Sequence, residues 1–352
     1  MLVSVDRIAD LMTDALRHRG FTAPDAELIV EDYLGAELEG RRTHGVGRFV
    51  VIDRYLDARA AAPAVVHDLA AVAVVDGNRG MGQLVCREAT SIAIGKARVY
   101  GVGVVTARNF TRFSRLKIYA EQVARAGLIA VAVNCGGAPP LVPAPNTTRR
   151  VVGTNPIAFA FPRTGGLCSF DFATSEHAWG HVRQAVIDGT AVPPGFLDEE
   201  GRPVTDPARA ASIRPAGGGK GFALGFAIEV LAGVLAGAEL GVDQASHLDL
   251  GFVVIALDPA AFGVDTEAVM ASVRRLSDQV ASAPPVAADG PVPRAPGDGS
   301  KAAAAAARSG GVLDLRPVVL DKLLEMAAGR VAVDDLPKLV PADRRGPRVD
   351  RG

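Results

Sequence analysis

The first part of the chain carries its apolar side chains at helical spacing. Residues 5–38 contain two such stretches, and Ser4 and Thr22 stand directly before them. Serine and threonine commonly cap the N-termini of helices, so both stretches are predicted to be helices. A third stretch, residues 45–59, keeps the same period. We therefore predict that residues 1–75 form an N-terminal helical region.

Beyond this region, apolar runs of strand length alternate with stretches of helix length. The predicted strands are AAVAVVDGN, GVGVVTARN, LIAVAVNC, NPIAFAFP, SFDFAT and FVVIALDP. The predicted helices cover residues 82–100, 114–126, 178–188, a long apolar segment after residue 221, 265–281, 301–308 and 316–328. This alternation is typical of an α/β sheet packed on helices. We predict a central α/β domain over residues 76–262, C-terminal helices over residues 263–339 that pack back on the N-terminal region, and a flexible tail over residues 340–352.

Composition and charge exclude several classes of protein. The formal net charge is -1, so no overall field attracts nucleic acid or an anionic membrane. The three cysteines are too few and too widely spaced for a disulfide framework, which indicates a reducing compartment. The start of the chain lacks the pattern of a signal peptide, and the longest apolar stretch contains Glu229. We expect a cytoplasmic protein that binds neither nucleic acid nor membrane.

Two glycine-rich segments are candidates for binding a nucleotide. The GxGxxG fingerprint is absent from its usual context, and residues 77–82 have the wrong spacing for it, so they are either a plain loop or a different cradle. Residues 217–221 read GGGKG before an apolar helix. Glycine N–H groups, a helix start and the cation of Lys220 would together suit a phosphate. The alternative is a flexible loop with a solvated lysine.

His44 and Arg48 form the clearest candidate for a catalytic pair. Their i, i+4 spacing places both on one helix face. The fork of Arg48 would hold a carboxylate while His44 donates a proton, which is what the reduction of a 2-oxo acid requires. The alternative is a helix-start histidine beside a surface arginine. His177 and His181 have zinc-ligand spacing but no third ligand nearby, so no metal is predicted.

Several segments, in this order, resemble those of a known family. They are THGVGR, VDGNRGMGQ, GVGVVTARN, YAEQVARAGLIAVAVN, GTNPIAFAFP, DFATS, GGGKGFALGFAIEVLAGVLAGA and PGD. The chain resembles the malate/L-lactate dehydrogenase family of the non-Rossmann type, which includes sulfolactate and ureidoglycolate dehydrogenases and piperideine-/pyrroline-2-carboxylate reductases. The resemblance implies a mixed-sheet, non-classical NAD(P)-binding fold with a helical lobe built from both chain termini. It also implies NAD or NADP as hydride carrier, a small carboxylated substrate and a homodimer.

The resemblance also implies roles for single residues. His44 would be the proton donor, Thr43 would stand where a serine usually assists it, and Arg48 would hold the substrate carboxylate. Thr154, in the GTNP segment, would lie at the substrate. The cofactor would be lined by Asp171, Phe172, Ala173, Lys220 and Gly221.

The chain departs from the family pattern at several of these places. Where the family reads NHFGA, residues 111–115 read TRFSR, so that the histidine becomes Arg112 and the glycine becomes Ser114. Because this segment normally touches the cofactor, we expect the cofactor to be bound by Arg112, Phe113, Ser114 and Arg115. The two arginines favour NADP, although they would equally suit a solvated helix face.

Other departures concern the proton donor and the cofactor loop. His181 stands where the family's reductases carry an aspartate paired with the catalytic histidine, and we include it among the catalytic residues. A second imidazole would lower the pKa of His44 instead of raising it. Gly219 replaces a histidine of the family's GHKG segment, and Gly299 replaces an arginine of its PGER segment.

The leading hypothesis is an NAD(P)H-dependent reductase of a small 2-oxo acid or a cyclic 2-imino acid, in a specialised biosynthetic pathway. An iminium substrate suits the altered site, since it arrives already protonated. The second hypothesis keeps the fold without redox chemistry, so that the protein catalyses a non-redox step on a carboxylated molecule or only binds it. A purely structural dimer would leave the His44 and Arg48 pair without a role.

Overall fold

The computed structural model describes residues 1–136, 139–287 and 290–331. Within these ranges the α-helices are α1 (Val5–Arg17), α2 (Ala23–Leu38), α3 (Val46–Phe49), α4 (Gly82–Tyr100), α5 (Lys117–Arg125), α6 (Gly180–Asp188), α7 (Gly219–Ile228), α8 (Thr266–Ala281), α9 (Asp298–Gly310) and α10 (Pro317–Ala327). The strands are β1 (Leu2–Ser4), β2 (Ala64–Leu69), β3 (Val72–Asp76), β4 (Val102–Arg108), β5 (Ile129–Gly136), β6 (Val142–Pro143), β7 (Arg150–Val152), β8 (Ile157–Arg163), β9 (Gly166–Phe172), β10 (Phe196–Leu197), β11 (Ser212–Ile213), β12 (Leu250–Leu257) and β13 (Val312–Asp314). No helix in the described ranges is long and apolar enough to cross a membrane.

A seven-stranded sheet forms the centre of the molecule, in the order β2-β3-β4-β12-β5-β8-β9. The strands β3 and β4 run parallel, and every other neighbouring pair runs antiparallel. A Rossmann sheet is mostly parallel, so this mixed sheet explains why the dinucleotide fingerprint is absent. The predicted mixed α/β fold is confirmed.

Small side chains let helices approach the sheet closely. Helix α4 faces the sheet with Ala89, Ala93 and Ala97, all fully buried. On the facing strand β4, a Cβ on Gly103 would overlap the carbonyl of Ala93. This close approach accounts for the abundance of alanine, valine and glycine, because larger residues would separate helix and sheet.

A second core lies in a helical lobe built from both ends of the chain. Helices α1, α2, α3 and α10 share one apolar cluster. Strand β1 pairs antiparallel with β13, with Leu2 opposite Asp314. The N-terminal ammonium of Met1 donates to the Asp314 Oδ1 and the Leu315 carbonyl, each at 2.6 Å. The predicted lobe from both termini is thereby confirmed. The boundaries set at residues 75 and 262 stay predictions, and the tail predicted over residues 340–352 lies outside the described residues.

Two local predictions were wrong. The helix predicted over residues 45–59 is broken into α3 and a separate 3-10 turn, Ile52–Tyr55. The β-branched run from Val50 to Ile52 lies at the break, and such side chains lose rotamer freedom in a helix. Strand β2 was missed because all six of its residues are exposed, so that its sequence has no alternation of apolar and polar positions.

A network of buried charges joins the helical lobe to the sheet. Asp32 of α2 is fully buried and accepts hydrogen bonds from the backbone N–H groups of Ser114, at 2.9 Å, and Arg115, at 3.2 Å. Glu39, directly after α2, binds the Arg115 Nη1 at 2.9 Å and the Lys117 Nζ at 2.8 Å. Burial raises the pKa of Asp32, while Arg115 and the two N–H donors oppose this rise. The network fixes residues 114–117 against α2.

Candidate active site

The predicted proton donor lies at the end of a 3-10 turn, Arg42–His44. Arg48 lies in the separate helix α3, because the backbone at Gly45 is not helical, so the predicted single helix face for the pair was wrong. The Thr43 hydroxyl lies 2.8 Å from the His44 Nδ1, and the Ser114 hydroxyl donates to the His44 carbonyl at 2.7 Å. The Thr43 hydroxyl therefore contacts the His44 ring, and its role in assisting the histidine stays a prediction. Since Thr43 occupies Nδ1, the other ring nitrogen, Nε2, is the one available to a substrate.

The start of helix α3, which follows His44, is held by a buried carboxylate. Glu37 accepts a hydrogen bond from the Val46 N–H at 2.8 Å, and this satisfies one donor of the helix N-terminus. A Cβ at Gly45 would overlap the same carboxylate, so glycine is required there. The contacts of Glu37 consequently fix the turn between His44 and Arg48.

Burial lowers the pKa of His44 from its ordinary 6.5 to about 4. The carboxylate of Asp171 opposes this shift, whereas Arg48, Arg41 and His181 add to it. Asp171 is held in turn by Arg41, whose Nη1 lies 2.8 Å from its Oδ1. His44 is thus neutral near pH 7 without a ligand, and Asp171 at the end of β9 is a carboxylate that favours its protonation.

Helix α6 brings His181 toward His44. A Cβ at Gly180 would lie 2.8 Å from the Thr43 Cβ and 2.9 Å from the Thr43 carbonyl oxygen, so the glycine permits close contact. His181 Nδ1 lies 3.1 Å from the Ala178 carbonyl, and its ring centroid is 5.2 Å from that of His177. Among the described residues, no group of three or more His, Cys, Asp or Glu side chains is placed to hold a metal ion.

Arg48 lies over an aromatic ring that sequence reasoning did not single out. Its Cζ is 4.9 Å from the ring centroid of Tyr55, which a cation–π contact allows. The Tyr55 ring also meets that of His247, with centroids 5.9 Å apart. These contacts hold the Arg48 guanidinium at Tyr55, from where its charge acts on His44.

Four arginines lie close enough to Tyr55 for their charges to act on its phenol, and we call this group the arginine pocket. Burial alone would raise the pKa of the phenol, but Arg48, Arg112, Arg54 and Arg183 together lower it. Burial in the same pocket lowers the pKa of Arg183 to about 10 and that of Arg112 as well. Such a concentration of guanidinium groups favours an anionic ligand.

The four predicted cofactor residues at 112–115 point in different directions. Arg112 is one of the four arginines near Tyr55. Phe113 packs edge-on against Tyr119 in the sheet core, with ring centroids 5.0 Å apart. Ser114 and Arg115 are bound to the protein itself, through the His44 carbonyl and the carboxylates of the buried network. Their roles toward a cofactor stay predictions, and only Arg112 of the four lies in the pocket.

The glycine loop contacts two of the other predicted segments. Thr174 donates its N–H to the carbonyl of Thr154 at 2.9 Å and accepts from the Ala216 N–H at 2.9 Å. A Cβ at Gly221 would lie 2.8 Å from the Thr174 carbonyl oxygen. Lys220 is exposed beside it. The structure therefore joins the GTNP, DFATS and GGGKG segments into one wall.

This wall fits a phosphate at the start of helix α7. Gly217 and Gly218 have φ of +63° and +65°, which favours glycine, and no side chain caps the helix. A Cβ at either glycine, or at Gly219, would meet open space. Residues 171–173 connect the wall to His44, because Asp171 lies by the histidine and Phe172, exposed at 47%, follows it.

Comparison with known proteins identifies the family of this chain. Residues 3–324 match the family described as malate/L-lactate dehydrogenase. The chain belongs to this family. It is 32% identical over 298 residues to L-sulfolactate dehydrogenase of Methanocaldococcus jannaschii, covering 81% of this chain and 86% of that protein. It is 31% identical over 297 residues to delta(1)-pyrroline-2-carboxylate reductase 2 of Burkholderia multivorans, covering 80% and 86%.

Solved structures of the family share the fold. The sulfolactate dehydrogenase structure from Methanocaldococcus jannaschii superimposes with a TM-score of 0.81 at 28% identity, and covers 93% of this chain and 97% of its own. The chain is accordingly an oxidoreductase, and family membership implies a nicotinamide cofactor. The mixed sheet and the helices from both termini are the fold that this chain shares with the family.

Some residues of the pocket had no distinctive signal in the sequence. Tyr55 lies in a 3-10 turn after the break that follows α3, so helical spacing from Arg48 does not identify it. Arg183 lies two residues after His181, on a helix that was noticed only for its histidines. Arg41 precedes the THGVGR segment and reads as an ordinary surface charge.

We predict that Gly180→Ala damages the site, whereas Gly95→Ala does not. The added Cβ at residue 180 would strike the backbone of Thr43, so the free energy of unfolding should fall by about 1–3 kcal/mol. At Gly95, inside α4, nothing lies within 4 Å, so alanine should raise it by about 0.5–1 kcal/mol. Chemical denaturation measures both. Equal stability of the two variants would show that helix α6 does not press on the turn.

Proposed function

We propose that this protein reduces a small 2-oxo acid or a cyclic 2-imino acid with NADH or NADPH. The observation that carries the proposal is that the Arg48 guanidinium lies over the Tyr55 ring while its charge acts on His44, four residues earlier. Arg48 would hold the substrate carboxylate through a bidentate fork. The carbonyl or imine carbon next to that carboxylate would then lie near His44. Relatives whose names specify sulfolactate and pyrroline-2-carboxylate support this class of substrate.

The nicotinamide cofactor supplies a hydride when it is bound. Its phosphates would be held by the N–H groups at the start of α7 and by Lys220, and Gly221 keeps that helix end close to the DFATS segment. Phe172 and Ala173 would line the cofactor between the loop and His44. Arg115, one of the two arginines that favoured NADP in the sequence, is bound to Glu39 and lends that preference no support.

The substrate itself would adjust the proton donor. Arg48 lowers the pKa of His44 while its own charge is unscreened, so a carboxylate bound to Arg48 would raise that pKa. Asp171 acts in the same direction. A 2-oxo acid would then receive its proton from the His44 Nε2. An iminium needs no such donation, and for this substrate His44 would only orient the ring.

The direct test is to follow cofactor absorbance with purified protein and a panel of cyclic imines and 2-oxo acids. We expect oxidation of NADH or NADPH, and an increase in KM of at least about tenfold in Arg48→Gln, since a charged hydrogen-bonding partner is lost. Arg274→Gln, an exposed arginine of α8, is the matched control. If no acid is reduced and calorimetry finds acid binding without nicotinamide binding, the non-redox alternative replaces this proposal.

We also expect a specific pH dependence. His44 faces Asp171, Arg48, Arg41 and His181, and with its pKa near 4 only a small fraction is protonated at neutral pH. Because kcat/KM follows the protonated free enzyme, its value for a 2-oxo acid should rise about tenfold per pH unit from pH 7 to pH 5. The H44Q variant should be slow and show no such rise. A plateau beginning near pH 6.5 would contradict the lowered pKa.

We propose further that the protein works as a homodimer in the cytoplasm. Helix α7 continues into a π-helical turn, Glu229–Val234, and exposes an apolar face that a second copy would cover. The face consists of Leu224, Phe226, Val230, Leu231, Val234 and Leu235, each 36–58% exposed. The three cysteines are free and buried, which suits a reducing compartment.

Light scattering after gel filtration should therefore give about twice the chain mass of 36.4 kDa. Val234→Lys should shift the mass toward the monomer, because it buries a charge in the proposed interface. Val99→Lys, on the exposed side of α4, should leave the mass unchanged. A monomeric wild-type protein at micromolar concentration would contradict the proposed dimer.

A further inference from the structure

We propose that the substrate carries a second anionic group, and that the guanidinium of Arg183 binds it through its Nε and Nη2 edge. This inference rests on the proposed function, in which Arg48 holds the first carboxylate. The shared chemistry is an oxyanion with at least two oxygens, such as a carboxylate, sulfonate or phosphonate. Arg183 would then be a specificity-determining residue of the pocket.

The first observation is that two donors of Arg183 are buried and unused. Within the described part of the chain, no group accepts a hydrogen bond from its Nε or its Nη2, although both atoms are shielded from solvent. A buried, charged donor without a partner is unfavourable, and native proteins rarely retain one without a functional reason. The guanidinium cannot relieve this by losing its proton at ordinary pH.

The second observation is which two atoms are unused. Nε and Nη2 form one edge of the guanidinium plane, with two roughly parallel N–H bonds that match two oxygens of one anion. The same edge is occupied elsewhere in this molecule. Arg19 donates from its Nε and its Nη2 to the two carboxylate oxygens of Asp53. Arg183 thus presents the same edge that Arg19 uses to bind a carboxylate, and no described protein group accepts from it.

The third observation is where Arg183 lies. Helix α6, which carries Arg183, packs on the turn that holds His44, with Gly180 against Thr43. Arg183 lies three residues after Gly180, on the same side of α6, and the charges of Arg48 and Tyr55 act on it. The second anion would consequently lie in the substrate pocket, at a different position from the carboxylate on Arg48. Acyclic 2-oxo acids with an acidic group at the far end fit this arrangement better than cyclic imino acids with a single carboxylate.

The test compares 2-oxo acids that differ only in the group on C3. Oxaloacetate, sulfopyruvate and phosphonopyruvate carry an anion there, and 2-oxobutyrate carries a methyl group. Wild-type protein should prefer the anionic set in kcat/KM. In Arg183→Gln, the ratio of kcat/KM between the best anionic acid and 2-oxobutyrate should fall about 10- to 100-fold, as expected for a lost hydrogen bond to a charged group. Arg274→Gln should keep the wild-type ratio.

The three anionic acids also distinguish the kind of anion. Whichever is preferred identifies the second group as a carboxylate, a sulfonate or a phosphonate. Equal losses on all four acids in Arg183→Gln would mean that Arg183 shares the first carboxylate with Arg48, and would overturn the proposal. Weaker binding of NADPH but not of NADH would assign Arg183 to the cofactor phosphate, and would also overturn it.

A binding experiment separates this inference from the redox function. Calorimetric titration with succinate and butyrate needs no turnover, and these two acids differ by one carboxylate. We expect the wild type to bind succinate more tightly and Arg183→Gln to lose most of that difference. If no acid is reduced but this difference is found, the redox proposal fails and the second anion site stands. If succinate and butyrate bind alike, the site is absent.

Discussion

The cleft is positioned by four buried charges. Asp32 and Glu39 lie on or next to α2, and Arg115 and Lys117 lie where the chain enters α5. Such charges are expensive to remove from water, and an unpaired member of the set would cost several kcal/mol. The helical lobe and the sheet must therefore meet in one register. Residues 111–117 lie in that register, and this is why Arg112 can face the pocket while Ser114 holds the His44 turn.

The charges around His44 are distributed unevenly. Carboxylates and their partners, Asp171 and Arg41 among them, lie toward the sheet, whereas arginines collect around Tyr55. Bringing several guanidinium groups together opposes folding, since like charges repel and their hydration is partly lost. The repulsion between these groups raises the free energy of the ligand-free protein. An anionic ligand relieves this repulsion by neutralising the guanidinium charges. The same neutralisation favours the protonated form of His44.

Most helices and strands could be predicted from the sequence, because their boundaries depend on residues close together in the chain. Ser4 and Thr22 cap their helices as predicted, and Gly101 ends α4 in a left-handed conformation. The order of the seven strands could not be predicted from periodicity alone, since β12 inserts between β4 and β5 from far along the chain. Resemblance to a family supplied the mixed sheet.

The site was predictable only where it is built from neighbouring residues. Thr43, His44 and Arg48 lie within six residues, so the short stretch of chain keeps them together although a non-helical Gly45 separates the His44 turn from α3. Arg183 reaches the same pocket from α6 through tertiary packing, which no local spacing encodes. Arg115 shows the opposite case. Its position beside Arg112 indicated a ligand, yet its charge serves the buried network.

The pairing of β1 with β13 has a consequence for the order of folding. Residues 2–4 complete their hydrogen bonds only when residues 312–314 have been made. At a synthesis rate of about 5–20 residues per second, roughly 15–60 seconds separate the two ends. During that interval α1 and α2 have their apolar faces available but lack α10, which closes their core. The sheet can assemble first around its own cluster, so the lobe that carries His44 is the last part of the protein to close.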